Sequence, residues 1–168
     1  MSPKQNIDSD SARQRGCRTL VQGRVQGVGF RPFVYRLARE CGMVGQVRNT
    51  SQGVEIELHG EHQALERFLQ RISGELPPLA RIASLKTEEI PPRLDLADFT
   101  IRQSRGDDAH SVLISPDIAV CPDCLAEIHD PNDRRYRYPF TNCTNCGPRF
   151  SITRSIPYDR PGTSMACF

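Results

Sequence analysis

Residues 22–31 read QGRVQGVGFR. Glycines at 23, 27 and 29 precede Arg31, and an apolar stripe with helical spacing follows at once. Phe33, Val34, Leu37, Ala38 and Cys41 fall on one face of that helix, and Gly42 stops it. Pro32 sits near the helix start, where a missing N–H costs nothing. Upstream, CRTLVQG (17–23) reads as a short strand running into the glycines. In a loop of this kind successive backbone N–H groups can face inward, and the first helical turn adds partial positive charge. Gln26, Gly27, Val28, Gly29, Phe30 and Arg31 are therefore candidates to cradle a tetrahedral oxyanion, with the planar fork of Arg31 on two of its oxygens. The plainer alternative is a tight turn followed by a surface arginine. Neither a P-loop nor the dinucleotide fingerprint fits, since no Gly-Lys-Ser/Thr follows and GxGxxG is absent.

Two strand signals follow the helix. VGQVRN (44–49) is short, while VEIELHG (54–60) alternates, placing Val54, Ile56 and Leu58 inward and Glu55, Glu57 and His59 outward. Thr50, Ser51, Gln52 and Gly53 between them suit a hairpin turn. Ala64, Leu65, Phe68, Leu69 and Ile72 form a second amphipathic helix, with Glu61 near its positive end and Pro77-Pro78 breaking the chain after it. ARIASLKTEEI (80–90) and DFTIRQ (98–103) complete the set as strands. The order is strand, helix, strand, strand, helix, strand, with one extra strand. That is an α+β, ferredoxin-like βαββαβ sandwich, an antiparallel sheet with two helices on one face. The fold hosts many functions and selects none.

The rest of the chain has a different character. Residues 1–16 are polar and carry almost nothing to bury, as expected of a disordered tail. Residues 17–104 hold the sandwich, 105–120 read as a linker, and 121–168 are rich in cysteine, proline and glycine. A net charge of +2 over 168 residues is too mild to argue for a nucleic-acid or membrane partner. No apolar run approaches a membrane span, and the N-terminus lacks the apolar core of a signal peptide, so the expected location is the cytoplasm.

Seven cysteines without an export signal favour metal over disulfides. Cys121, Cys124, Cys143 and Cys146 form C-x2-C-x18-C-x2-C, two knuckles that can complete a tetrahedron around zinc. Four thiolates leave no open position, so the expected zinc is structural. Cys41 reads as core, Cys17 opens a strand, Cys167 lies at the chain end, and His129 is surplus to the quartet. Arg134, Arg135, Tyr136, Arg137 and Tyr138 interleave charge and rings, which could suit RNA or single-stranded DNA. A solvated loop with its tyrosines against the knuckle accounts for them equally well.

VQGRVQGVGFR (21–31) resembles the acylphosphatase signature, and GQVRNTSQGVEIELHG (45–60) resembles the second block of that family. The resemblance covers roughly residues 17–103 and implies that Arg31 binds the substrate phosphate while Asn49 orients the attacking water. Asn49 could otherwise be a turn or strand-end residue. Position 46 is Gln where the family usually has an aromatic or large apolar residue, and the turn after Asn49 is one residue short. An acyl phosphate has a carboxylate leaving group, so arginine, loop amides and a water-holding amide suffice without a nucleophilic side chain or a catalytic cofactor.

The sandwich followed by CPDCLAEIHDPNDRRYRYPFTNCTNCGPRFSITRSIPYDRP resembles the start of the hydrogenase-maturation carbamoyltransferases, the HypF family. That family continues with a further pair of cysteine knuckles and with nucleotide-binding and transfer domains, so the segment 121–168 reads as truncated. The resemblance implies carbamoyl phosphate as the acyl phosphate and a hydrogenase-maturation protein as acceptor of the carbamoyl group. Full carbamoyl transfer is not expected of this chain alone. Hydrolysis of an acyl or carbamoyl phosphate is the expected activity. The alternatives are a carbamoyl-phosphate-binding module without turnover and a zinc-ribbon adaptor for nucleic acid.

Overall fold

The structure is a computed structural model, and it describes residues 14–103, 117–143, 145–147, 149–155, 160–164 and 166. Strand β1 spans Gln14–Arg24, β2 Val44–Thr50, β3 Gly53–Glu61, β4 Arg81–Ile90 and β5 Phe99–Ile101. They form one sheet in the order β4-β1-β3-β2-β5, antiparallel except for β5, which runs parallel to β2. Helices α1 (Phe30–Glu40) and α2 (His62–Gly74) supply the βαββαβ connection. The ferredoxin-like plan read from the sequence is the observed one.

One face of the sheet carries the core. Cross-strand neighbours Cys17 and Leu58, Thr19 and Ile56, and Val21 and Val54 line up beneath the helices. Phe30, Phe33, Val34, Leu37 and Ala38 of α1 and Ala64, Leu65, Phe68 and Ile72 of α2 close over them. Each large apolar side chain removed from water stabilises by about 1.5–3 kcal/mol. The buried Thr19 hydroxyl faces that of Thr87 at 3.2 Å. Leu69, placed on the α2 stripe, is only partly buried against the core.

Three boundaries differ from the sequence reading, each for a local reason. β1 begins at Gln14, inside the segment expected to be a disordered tail, because residues 14–16 pair with Glu61, Gly60 and His59 across the sheet. Helix α1 begins at Phe30, because Gly29, at φ 76°, adopts the left-handed turn that lets Phe30 enter as the first helical residue. β5 is three residues long. The hairpin between β2 and β3 needs only Ser51 and Gln52, and Thr50 Oγ1 accepts the Gln52 N–H at 3.2 Å. Gly53 is required there: at φ 147° a Cβ would stand 2.2 Å from the Val21 carbonyl oxygen.

The outward assignment of Glu57 and His59 is corrected by the structure. Both are buried, at 7% and 1% exposure. Alternation places a side chain on a face but does not say what covers that face. Residues 91–98, after β4, lie over it. The Arg93 backbone N–H donates to His59 Nδ1 at 3.1 Å, and His59 Nε2 lies 3.1 Å from Glu57 Oε1. Gln46, in place of the family's large apolar residue, donates to Glu57 Oε2 at 3.1 Å and accepts from Arg102 Nε at 3.1 Å. A polar residue at 46 thus belongs to a polar network on this face.

The second segment has little regular structure. Helix α3 (Pro122–His129) starts directly after Cys121, and single-turn helices occupy Phe150–Ile152 and Arg160–Gly162. Thr153 and Thr163 pair as an isolated bridge. Residues 1–13 of the expected tail, 105–116 of the expected linker, and Cys167 lie outside the described residues. Among the described residues no helix is long and apolar enough to cross a membrane.

Candidate active site and metal centre

The glycine loop is held by its apolar members and by one amide. Val25 and Val28 are buried in the core and anchor the two sides of the loop. Between them Gln26 Nε2 donates to the carbonyls of Thr50 at 2.8 Å and Gly53 at 2.9 Å. Those two bonds tie the loop to the hairpin that begins just after Asn49. Gly27, at φ 72°, and Gly29 let the backbone curl into the helix start, and the Phe33 N–H reaches the Gly29 carbonyl at 3.1 Å. Arg31 stands at the second helical position, half-buried.

Asn49 is 1% exposed, and neither its Nδ2 nor its Oδ1 has a hydrogen-bond partner among the described residues. It lies on the helix side of β2, two residues beyond the core residue Val47. A buried carboxamide left unsatisfied costs about 1–3 kcal/mol, so both atoms call for a guest. The structure therefore joins Gln26 to the turn beside Asn49 and sets Arg31 at the helix mouth. A cavity of about 300 Å³ lies at that mouth, lined by Val25, Gly27, Gly29, Phe30, Arg31 and Pro32 and, on the far side, by Asn142 and Cys143.

The four cysteines of the predicted quartet converge, with their sulfurs within 4.8 Å of one another. Cys121 and Cys143 lie 3.5 Å apart, and Cys146 lies 3.9 Å from both Cys124 and Cys143. A tetrahedron of Zn–S bonds requires sulfurs about 3.8 Å apart, and a disulfide about 2.05 Å. The spacing fits zinc and excludes cystines. Backbone N–H groups of Cys143 and Asn145 donate to sulfurs at 3.4 and 3.3 Å, as the knuckle turn demands. Burial pushes the Cys124 thiol up, reinforced by neighbouring sulfurs, and it also raises that of Cys143 against the opposing pull of backbone N–H groups. Burial also opposes the Cys146 thiolate, but backbone N–H groups and Arg149 overcome it and pull that thiol down to about 6. Such a set cannot ionise together without a cation among the sulfurs.

Arg149 was not singled out from the sequence. It is buried and donates to Cys146 Sγ at 3.3 Å, to the Cys146 carbonyl at 3.4 Å and to the Thr141 carbonyl at 3.1 Å. A basic residue three positions after the last cysteine was the available signal. His129 is exposed at the end of α3, outside the quartet. In the basic and aromatic stretch, Arg135 pairs with Glu127 at 2.5 Å, Arg137 lies over the Tyr136 ring, and Tyr138 meets Phe140 edge-on. Four of the five residues thus meet partners within the segment, while Arg134 is exposed.

A strand, a glycine loop and a helix mouth bearing arginine, with a buried asparagine tied alongside, define an acylphosphatase-type domain. The acylphosphatase family pattern matches residues 17–101, and the chain belongs to that family. An acylphosphatase of Staphylococcus aureus is 40% identical over 79 residues, 47% of this chain and 89% of that protein. The solved acylphosphatase of Coxiella burnetii superposes with a TM-score of 0.52 at 32% identity, over 57% of this chain and all (100%) of that one.

The particular architecture is narrower than that class, because residues 120–153 match the HypF finger. The carbamoyltransferase HypF2 of Cupriavidus necator is 53% identical over 152 residues, 90% of this chain and 19% of that protein. Full-length HypF, solved in a phosphate- and nucleotide-bound form, superposes with a TM-score of 0.81 at 47% identity, over 92% of this chain and 20% of that one. The chain thus spans about a fifth of the length of these carbamoyltransferase relatives.

Proposed function

We propose that this chain hydrolyses acyl phosphates, with carbamoyl phosphate as the substrate. The observation that carries the proposal is the buried, unsatisfied Asn49 amide beside a glycine loop that Gln26 ties to the same hairpin. Donors of the loop and the Arg31 guanidinium neutralise the phosphoryl oxygens. Asn49 holds a water in line with the bond to be broken. The water oxygen attacks phosphorus, the P–O bond to the acyl group breaks, and the carboxylate or carbamate leaves with the bonding electrons. A proton from the water passes to phosphate and solvent. The leaving group is already stable as an anion, so no general acid is required, and positioning with charge stabilisation supplies the rate.

Carbamoyl phosphate is chosen because the relatives that share both modules are named carbamoyltransferases. By the same likeness the product serves carbamoyl transfer to a hydrogenase-maturation protein. The cysteine quartet is assigned a structural zinc, held by Cys121, Cys124, Cys143 and Cys146, which staples a segment too small to fold on its core alone. Turnover of carbamoyl phosphate and acetyl phosphate by wild type, Arg31→Ala and Asn49→Ala tests the proposal. Loss in both variants is expected. Equal rates in all three would remove the site, while tight binding with no turnover by wild type would leave a binding module.

A further inference from the structure

The second cysteine pair does more than complete a metal site. Asn142 and Cys143 form the side of the Arg31 cavity that faces the glycine loop. Asn145, between the two thiols, lines an adjoining groove with Val28, Gly29 and Pro32. The knuckle turn itself is the contact. Gly147 donates its N–H to the Cys143 carbonyl at 2.8 Å, and its φ of 73° is one that only glycine adopts freely. A Cβ there would stand 3.2 Å from Leu79 Cδ1, 3.7 Å from Val28 Cγ1 and 4.0 Å from the Gly27 carbonyl oxygen. The loop is therefore bound to the hairpin by Gln26 and closely approached from the knuckle by Gly147.

We infer that the cysteine knuckle is the second wall of the anion pocket, so that metal loading of the four thiols raises the loop's affinity for a phosphoryl group. The inference rests on the phosphate reading above. With a metal among the sulfurs the turn is rigid, and the loop N–H groups are ordered before the anion arrives. Without it the crowded thiols separate, the wall loosens, and an incoming anion must order the loop itself. Linkage requires the reverse effect too: a bound anion tightens metal binding by the same factor.

The test is calorimetric titration of inorganic phosphate into zinc-loaded and chelator-stripped protein, with circular dichroism to verify that the sheet persists in both. Stripping is expected to weaken phosphate by about fivefold or more. Zinc competition against a chromophoric chelator is expected to tighten by the same factor under saturating phosphate. Asn142→Ala, which trims the knuckle's side of the Arg31 cavity without touching a thiol, is expected to keep one equivalent of zinc and still bind phosphate more weakly. If stripping unfolds the sheet, that metal-loaded variant decides alone. Equal phosphate affinity across metal states and in Asn142→Ala would overturn the coupling while leaving the active site intact, provided Arg31→Ala still abolishes binding. No phosphate binding in any state would sink the site and the coupling together.

Discussion

A buried carboxamide without a hydrogen-bond partner costs a fold stability, and a guest that satisfies it recovers that cost. Asn49 is such a group among the described residues, and its replacement is expected to separate function from stability. Asn49→Ala is expected to lower acyl-phosphate turnover by about 100-fold or more, because the attacking water loses its position. Thermal stability should move by no more than about 1 kcal/mol, since relief of the unsatisfied amide offsets the lost packing. A large fall in melting temperature would show that Asn49 is structural. Arg31→Lys keeps the charge and loses the two-pronged geometry, so turnover is expected to drop about 100-fold with little change in melting temperature. Both residues stand out in the sequence because the motifs that the chain resembles specify them one by one. Gln26 was legible only as a member of the loop. Its bonds to Thr50 and Gly53 join stretches far apart in sequence, and no local pattern announces such a pairing. Arg149 was hidden for a related reason, since its partners are mainly backbone carbonyls and a sulfur.

Strand β3 shows what periodicity can and cannot tell. Alternation assigned Val54, Ile56 and Leu58 to the core, and the sheet agrees. The same alternation sent Glu57 and His59 to solvent, where residues 91–98 instead cover them. A turn-rich, proline-containing stretch has no period, so its path across a charged face was unreadable. The consequence is a pH dependence. Burial works against ionised Glu57, yet hydrogen bonds from His59 and Gln46 and the positive charge of Arg18 hold its carboxyl below the ordinary 4.5. A carboxyl depressed in the folded state stabilises above its unfolded value and loses that contribution as pH falls through the folded one. Urea midpoints should therefore decline as pH drops below about 4.5, and Glu57→Gln should flatten that decline. An unchanged acid limb in the variant would refute the assignment. In the hairpin, Gly53→Ala is expected to destabilise by about 1–3 kcal/mol, because the new methyl meets the Val21 carbonyl at a strained φ. Denaturant titration measures it.

At the scale of the molecule two modules rest on different physics. The sandwich is held by a continuous apolar core, whereas the finger has four thiols and few buried apolar side chains. Leu125, Tyr136, Phe140 and Phe150 remain exposed there. Chelation is expected to abolish finger structure while leaving most far-ultraviolet β signal, and metal analysis of the untreated protein should give one equivalent of zinc. Loss of the sheet signal on chelation, or far less than one equivalent of metal, would contradict this division. The interior position of β1, between β4 and β3, carries a further cost that falls on biosynthesis. Its partner Leu58 emerges well after Cys17, and Glu89, on its other side, later still. During translation this first strand must wait with open backbone on both flanks until almost the whole sandwich has left the ribosome. Closure is therefore late, long-range and slow, and the nascent chain is most vulnerable to a wrong neighbour in that interval.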